Sequence, residues 1–307
     1  MKNHTIHRFL DILSACKQKG RVMISVAAAD DPCVLEAVKM AEDLQIAEAI
    51  LVGDAAKIKP LAIEAGLQHC QVIHEPSDKR SARKAVEIVR KGQADLLMKG
   101  QINSSDFLKA ILDGDFGLKT DALLSHLAVF EMPDSERLLF LTDGGMNISP
   151  DLDQKKIILL NAIKALQSIG IDNPNVAILS ANEKVSRAMP SSVDAHALAK
   201  MRARGEIPGG IIEGPVALDV AICPESAEHK GIKSEISGKV DLFLVPNIET
   251  GNVLGKSLIY FGKAIMAGVI LGAAAPIVLT SRAETAEGKL YSLALASLLV
   301  KNKQEGE

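Results

Sequence analysis

The chain has 307 residues, 48 % of them hydrophobic and 24 % charged, with a formal net charge of −3. That is enough chain for two separate cores, and too near neutrality to draw in nucleic acid by charge. With no Trp and only two Tyr there is little for base stacking, and the four cysteines (Cys16, Cys33, Cys70, Cys223) form no CxxC pair, so they read as reduced thiols of a cytoplasmic protein.

In chain order, MKNHTIHRFLDILSACKQKG reads as an amphipathic first helix ending at Gly20, without a secretory leader. Short apolar runs of strand length follow: RVMISVAAADD, AILVGD, DLLMKG, LLFLTDGG, NVAILSAN, GGIIEGP, DLFLVPN, GVILG and PIVLTSR. Between them lie helix-period segments such as DPCVLEAVKMAEDL, SARKAVEIVRKG and SPDLDQKKIILLNAIKALQSIG. The last of these is expected to start with Ser149 as N-cap and Pro150 in the first turn, and to stop at Gly170. Residues 264–281 carry no charge and approach the length of a membrane span, but Gly268, Gly272 and Pro276 divide them into two short buried strands, expected to be parallel. The segment AETAEGKLYSLALASLL then places Leu290, Leu293, Ala294 and Leu298 on one helical face. Strand–helix alternation throughout predicts an α/β fold with largely parallel sheets.

Polar and glycine residues gather where strands end: Asp30-Asp31, Gly53-Asp54, Lys99-Gly100, Thr142-Asp143-Gly144, Glu213-Gly214, Pro246-Asn247 and Ser281-Arg282. Ligands in open α/β sheets bind outside the carboxyl ends of strands, so this bias marks a site. In Lys99-Gly100-Gln101-Ile102-Asn103-Ser104-Ser105 a glycine turn runs into hydroxyls at a helix start. That arrangement suits a phosphoryl oxygen, and it equally suits plain helix capping by Asn103 or Ser104. In TDGGMNISP two glycines permit close approach to a ligand, and Asn147 is placed to donate to a carbonyl. Arg282, a fixed cation after a buried strand, calls for a carboxylate or a phosphate. Residues 251–257, GNVLGKS, imitate a P-loop but separate the glycines by three residues where the loop needs four. No GxGxxG follows a strand and no HExxH or Cys/His cluster occurs, so no dinucleotide or metal site is expected; Ser125-His126 reads as capping or packing.

Six ordered stretches resemble the phosphate acetyl/butyryltransferase family, most of all its butyryl branch: MKGQINSSDFLKAIL, GLKTDALLSHLAVFEMP, LTDGGMNISPDLDQKKIILLNAI, GEIPGGIIEGPVALDVA, VPNIETGNVLGKSLIYFG and PIVLTSRAETAEGKLYSLALAS. The resemblance implies reversible transfer of an acyl group, butyryl or a similar short chain, between CoA and orthophosphate. CoA attacks the acyl phosphate directly in a ternary complex, and CoA is a substrate, so there is no cofactor. It implies two α/β/α lobes like those of isocitrate and isopropylmalate dehydrogenases, with the active site in the interlobe cleft. The first lobe would comprise residues 1–147 plus 268–307, and the second residues 148–267. Ser281 and Arg282 match a pair that binds CoA and the acyl phosphate; Ser104 and Ser105, with Lys99, Gly100 and Asn103, match the phosphate-binding turn. Thr142, Asp143 and Asn147 match a cleft-lining loop, and Asn252 and Lys256 fall in the P-loop-like segment Pro246 to Ser257.

Two departures stand out. The acetyl branch carries a carboxylate base seven positions after the serine of the Ser-Arg pair, where this chain has Gly288; Glu284 and Glu287 are the nearby replacements. In the region of that branch's arginine after the phosphate turn, this chain has Lys109 and Lys119. Acetyl preference and a non-catalytic CoA- or acyl-phosphate-binding module are the alternatives. A metal-dependent dehydrogenase would need an aspartate cluster and an arginine triad, which are not found. The family further implies a homodimer or larger assembly in the cytoplasm, without nucleic acid or membrane partners.

Overall fold

The computed structural model describes residues 6–281 and 284–301. From the amino end they form α1 (Phe9–Lys19), β1 (Val22–Ala27), α2 (Pro32–Asp43), β2 (Ala47–Gly53), α3 (Ala55–Glu64), β3 (Cys70–His74), α4 (Asp78–Arg90), β4 (Leu96–Lys99) and α5 (Ser104–Ile111). Next come β5 (Ser125–Glu131), β6 (Leu139–Thr142), α6 (Leu152–Ser168), β7 (Asn175–Leu179), α7 (Pro190–Ala203), β8 (Ile211–Val216), α8 (Leu218–Ile222), α9 (Pro224–His229), β9 (Leu242–Leu244) and α10 (Ile248–Tyr260). The chain closes with β10 (Ile265–Leu271), β11 (Ile277–Val278) and α11 (Ala286–Leu299). Among the described residues no helix is long and apolar enough to cross a membrane.

Two compact units result. Phe9–Ala122 with the chain from Ala267 onward make the first, and Leu123–Met266 with residues 6–8 make the second. The first hand-over therefore falls ahead of β5, because β6 continues the strand set of β9 and β7 through Thr142↔Leu244 and Ala177↔Phe243.

In the first unit the strands run in the order β3-β2-β1-β4-β11-β10. β1 lies parallel between β2 and β4, and β11 runs parallel to β4 with Ile277 beside Leu97 and Val278 beside Met98. β1 and β4 are buried almost throughout, as near-continuous apolar runs should be when covered on both faces. β10 runs antiparallel to β11, Ile270 facing Ile277, which corrects the expectation of two parallel strands. The turn between them is too short for the crossover a parallel pair requires. α11 also departs from its expected single apolar face: every residue from Gly288 to Leu298 is buried, and Tyr291 stacks on Phe9 with ring centroids 4.4 Å apart.

In the second unit the order is β5-β6-β9-β7-β8, with β5 antiparallel to β6 and the other neighbours parallel. Phe130, Leu141, Phe243, Val240 and Ile236 centre its core. The α6 helix begins at Leu152 with Asp151, not Ser149, as N-cap. Asp151 accepts from the Gln154 N–H at 2.9 Å while the Gln154 side chain accepts from the Asp151 N–H at 3.0 Å, a reciprocal box that a lone serine cannot supply.

Candidate active site

Two sets of candidate residues emerge, one on each unit. On the first unit, the adjacent parallel strands β4 and β11 deliver Lys99-Gly100 and Ser281 to their carboxyl ends. The Gly100 and Gln101 N–H groups donate to the Ala27 and Ala28 carbonyls at 2.8 and 2.7 Å, pinning the turn against the end of β1. A Cβ on Gly100 would lie 2.2 Å from the Ala28 oxygen, so only glycine fits. Lys99 is buried, with Nζ 3.4 Å from the Gly100 oxygen. Asn103 holds the N-cap position of α5, yet its side chain makes no capping bond to the helix. Ser104 and Ser105, the first two helical residues, are exposed and begin a helix whose amino-terminal N–H groups favour an anion.

The turn after β11 carries the titratable chemistry. Ser281 is exposed, Arg282 lies outside the described residues, and Glu284 is half-buried. Glu284 Oε2 accepts from the Ser281 N–H at 3.2 Å and its Oε1 lies 3.4 Å from the Ser292 hydroxyl. Burial drives the Glu284 carboxyl up to about 7, against the opposing pull of the Ser281 N–H, the Lys289 charge and the Ser292 hydroxyl. Thr285 caps α11 by accepting from the Gly288 N–H at 3.1 Å, so the position where the related branch has its carboxylate is a buried first-turn glycine. Glu287 is exposed and accepts from the Tyr291 hydroxyl at 2.9 Å. Lys289, Ser292 and Cys33, whose thiol donates to the Glu284 backbone carbonyl at 3.4 Å, complete this corner. None of the three was singled out for the site from the sequence; a lysine inside an otherwise apolar helix is the one signal that was there to find.

On the second unit the loop Thr142–Asn147 is organised around Asp143, which is 3 % exposed. Its carboxylate accepts from the N–H groups of Gly145 (3.0 Å), Met146 (2.8 Å) and Asn147 (3.3 Å) and from Asn147 Nδ2 (2.6 Å). Asn147 Nδ2 also donates to the Leu124 carbonyl at 2.8 Å, and the Thr142 hydroxyl donates to the His126 carbonyl at 2.9 Å. Gly144 meets Gly251 of α10 so closely that a Cβ on Gly144 would lie 2.8 Å from the Gly251 carbonyl carbon. Asn252 Nδ2 lies 3.5 Å from the Gly144 oxygen, while Lys256 is exposed one turn further along. Ser125 is fully buried and accepts from Asn161 Nδ2 at 3.1 Å, a packing role. The His126 ring lies against Gly145 with a buried, unpartnered Nδ1, and burial lowers its proton affinity despite the nearby Asp143 charge. Among the described residues no group of three or more His, Cys, Asp and Glu is placed to hold a metal ion.

Residues 69–297 match the family model described as phosphate acetyl/butaryl transferase. The chain belongs to this family. It is 45 % identical to the phosphate butyryltransferase of Clostridium acetobutylicum over 97 % of this chain and 100 % of that protein. Its fold matches the crystal structure of a branched-chain phosphotransacylase from Enterococcus faecalis V583 with a TM-score of 0.81 and 33 % identity, covering 92 % of this chain and 99 % of that one. A 4-hydroxythreonine-4-phosphate dehydrogenase from Klebsiella pneumoniae, 16 % identical with a TM-score of 0.56, shares the fold alone across 91 % of this chain and 100 % of its own. The reaction class follows from membership: the chain is a phosphate acyltransferase. The dehydrogenase-like α/β architecture expected from the sequence is the one found.

Proposed function

We propose that this phosphate acyltransferase moves butyryl, or a branched acyl group of four to five carbons, between CoA and orthophosphate, with Glu284 as the base. The CoA thiol gives its proton to the Glu284 carboxylate as sulfur attacks the acyl-phosphate carbonyl. The new C–S bond forms, the C–O bond to phosphorus breaks, and orthophosphate leaves; the reverse direction runs through the same steps. The observation that carries the assignment is the half-buried carboxyl beside Ser281, poised at about 7. A base acts best when its proton affinity sits near the working pH, and a thiol of pKa about 8.5 then transfers with little driving force lost. Glu287, exposed and already engaged by Tyr291, is the weaker candidate.

Ser281 and Arg282 are assigned to the acyl-phosphate oxygens and CoA, and Lys99 to Ser105 to the phosphate, where buried and exposed donors adjoin a helix start. Thr142, Asp143, Asn147, Asn252 and Lys256 are assigned to a substrate-facing loop whose shape Asp143 maintains. We place the enzyme in the cytoplasm as a homodimer or larger oligomer, supported by the adjacent exposed aromatics Tyr260 and Phe261, which are 66 % and 87 % accessible.

Release of free thiol from acetyl-, propionyl-, butyryl-, isobutyryl- and valeryl-CoA in phosphate tests the chain-length reading. Butyryl or a branched four- to five-carbon chain is expected to exceed acetyl in kcat/KM by roughly 10- to 200-fold, the scale on which an apolar pocket senses a methylene. A clear acetyl preference would overturn the chain-length assignment and leave the reaction class standing.

A further inference from the structure

Besides Lys99, the first unit's site holds a second buried cation, one that no step of the proposed acyl transfer calls for. Lys289 is 2 % exposed, inside a helix whose neighbouring positions are Leu290, Tyr291, Leu293 and Ala294, all buried. An ammonium loses its hydration there, and a methionine of similar length would fill the space without that loss. What the ammonium obtains is specific: Nζ donates to the Ser281 carbonyl at 3.2 Å and to the Glu284 carbonyl at 2.7 Å. Those two oxygens bracket the turn between β11 and α11.

We propose that Lys289 is a positioning residue, its ammonium tying together the two ends of the turn that carries Ser281 and Glu284. The proposal rests on the reading of Glu284 as the base. Lys289 acts on that base in two ways. It fixes the backbone from which the carboxyl hangs, and its positive charge favours the carboxylate that burial disfavours. The other groups packed on the turn do different work. Ser292 contacts the Glu284 carboxyl while donating to the Gly288 carbonyl at 3.0 Å and accepting from the Gly268 N–H at 2.9 Å. Cys33, from α2, meets the backbone carbonyl of Glu284 and not its carboxyl. Among the described residues, Lys289 is the charge that favours the carboxylate form of Glu284, beside the Ser281 N–H and against burial.

Lys289→Met, Lys289→Arg and Glu284→Gln separate the possibilities when kcat/KM for thiol release is followed from pH 5 to 9 beside the thermal midpoint. Lys289→Met is expected to keep or raise the midpoint, since an apolar isostere removes a buried charge. It should nonetheless lower kcat/KM roughly tenfold or more and move the acid limb of the profile up by about one pH unit, the loss of one nearby opposite charge. Lys289→Arg should leave the limb at the parent position and recover part of the rate. If Lys289→Met falls apart, Lys289→Gln, which keeps a donor without charge, is held to the same shift of the limb. A folded Lys289→Met or Lys289→Gln enzyme with kcat/KM within threefold of the parent and an unmoved limb overturns the proposal. Failure of the base reading looks different: Glu284→Gln would then keep the rate and the acid limb of the parent.

Discussion

Glu284 in the first unit and Asp143 in the second are both carboxylates that follow a strand end, yet they stand in opposite conditions. Asp143 accepts four hydrogen bonds from its own loop, three of them from backbone N–H groups, and is 97 % buried in doing so. Among the described residues Glu284 has one backbone donor at 3.2 Å and a hydroxyl at 3.4 Å, and burial outweighs them, so its proton affinity climbs to about 7. A carboxylate whose lone pairs are used internally shapes a loop; one left under-satisfied near neutrality is available to move a proton. Residue type and position after a strand do not distinguish the two. Hydrogen-bond accounting does.

The largest effect that could break this division is on rate. Glu284→Gln preserves shape and removes proton acceptance, and kcat/KM is expected to fall about 100- to 10,000-fold with the thermal midpoint held. Activity within threefold of the parent would return Glu284 to a structural role. Next in size is Arg282→Ala, expected to cost on the order of 2–4 kcal/mol in the transition state, or roughly thirty- to a thousandfold in rate, while folding normally. Arg282→Lys should recover only part, because a point charge cannot replace a planar fork across two oxygens. A loss that merely follows unfolding would make Arg282 a structural ion-pair partner.

The second unit should answer with stability rather than with chemistry. Gly144→Ala forces a Cβ to 2.8 Å from the Gly251 backbone, whereas the control Gly114→Ala, in the first unit, meets nothing within 4 Å. The first is expected to cost about 1–3 kcal/mol of stability and the second to be neutral, measured as urea midpoints with unchanged slope. Equal midpoints would mean that the loop moves aside freely and that Asp143 is not holding a fixed shape.

Much of the fold is legible because strands show as short apolar runs, nine of them in this sequence, most near-continuous where a parallel strand is buried on both faces. β3, CQVIH, is not among them because it is the outer strand of its unit, with no fully buried residue and with exposed polar Gln71 and His74 breaking the run. β5, SHLAVFE, is not among these runs because Ser125-His126 opens it with two polar residues; Ser125 lies inside the sheet bonded to Asn161, the packing alternative of the capping-or-packing reading. In SPDLDQ two residues compete to cap one helix, and the winner is decided by Gln154 three positions on, not by the serine. The candidate site is marked in the sequence by strand-end polarity. Lys289 is not, because helical spacing says which residues share a face and nothing about two carbonyls on a loop that the same lysine reaches.

The last effect bears on the contrast between two buried groups, Glu284 of the first unit and His126 of the second, which tilt stability in opposite directions with pH. Glu284 is raised from 4.5 to about 7 in the folded chain, so between those values the folded state holds a proton that the unfolded state has released. Its contribution is full below 4.5 and is lost as pH rises through about 7. His126 is lowered from 6.5 by burial, so below 6.5 the unfolded chain takes up a proton that the folded ring resists. Its contribution is full above 6.5 and is lost as pH falls. Asp143 is the charged neighbour that tempers the loss at His126, as Lys289 tempers the gain at Glu284. Urea midpoints from pH 5 to 8 should therefore separate two variants. Glu284→Gln removes a contribution that falls with rising pH, so its slope should lie above the parent's, and His126→Gln removes one that rises, so its slope should lie below. The Glu284→Gln change should amount to about 1–3 kcal/mol at most. Identical slopes in parent and Glu284→Gln would mean that the carboxyl is ionised in the ordinary range, and the basis for choosing it as the base would be gone.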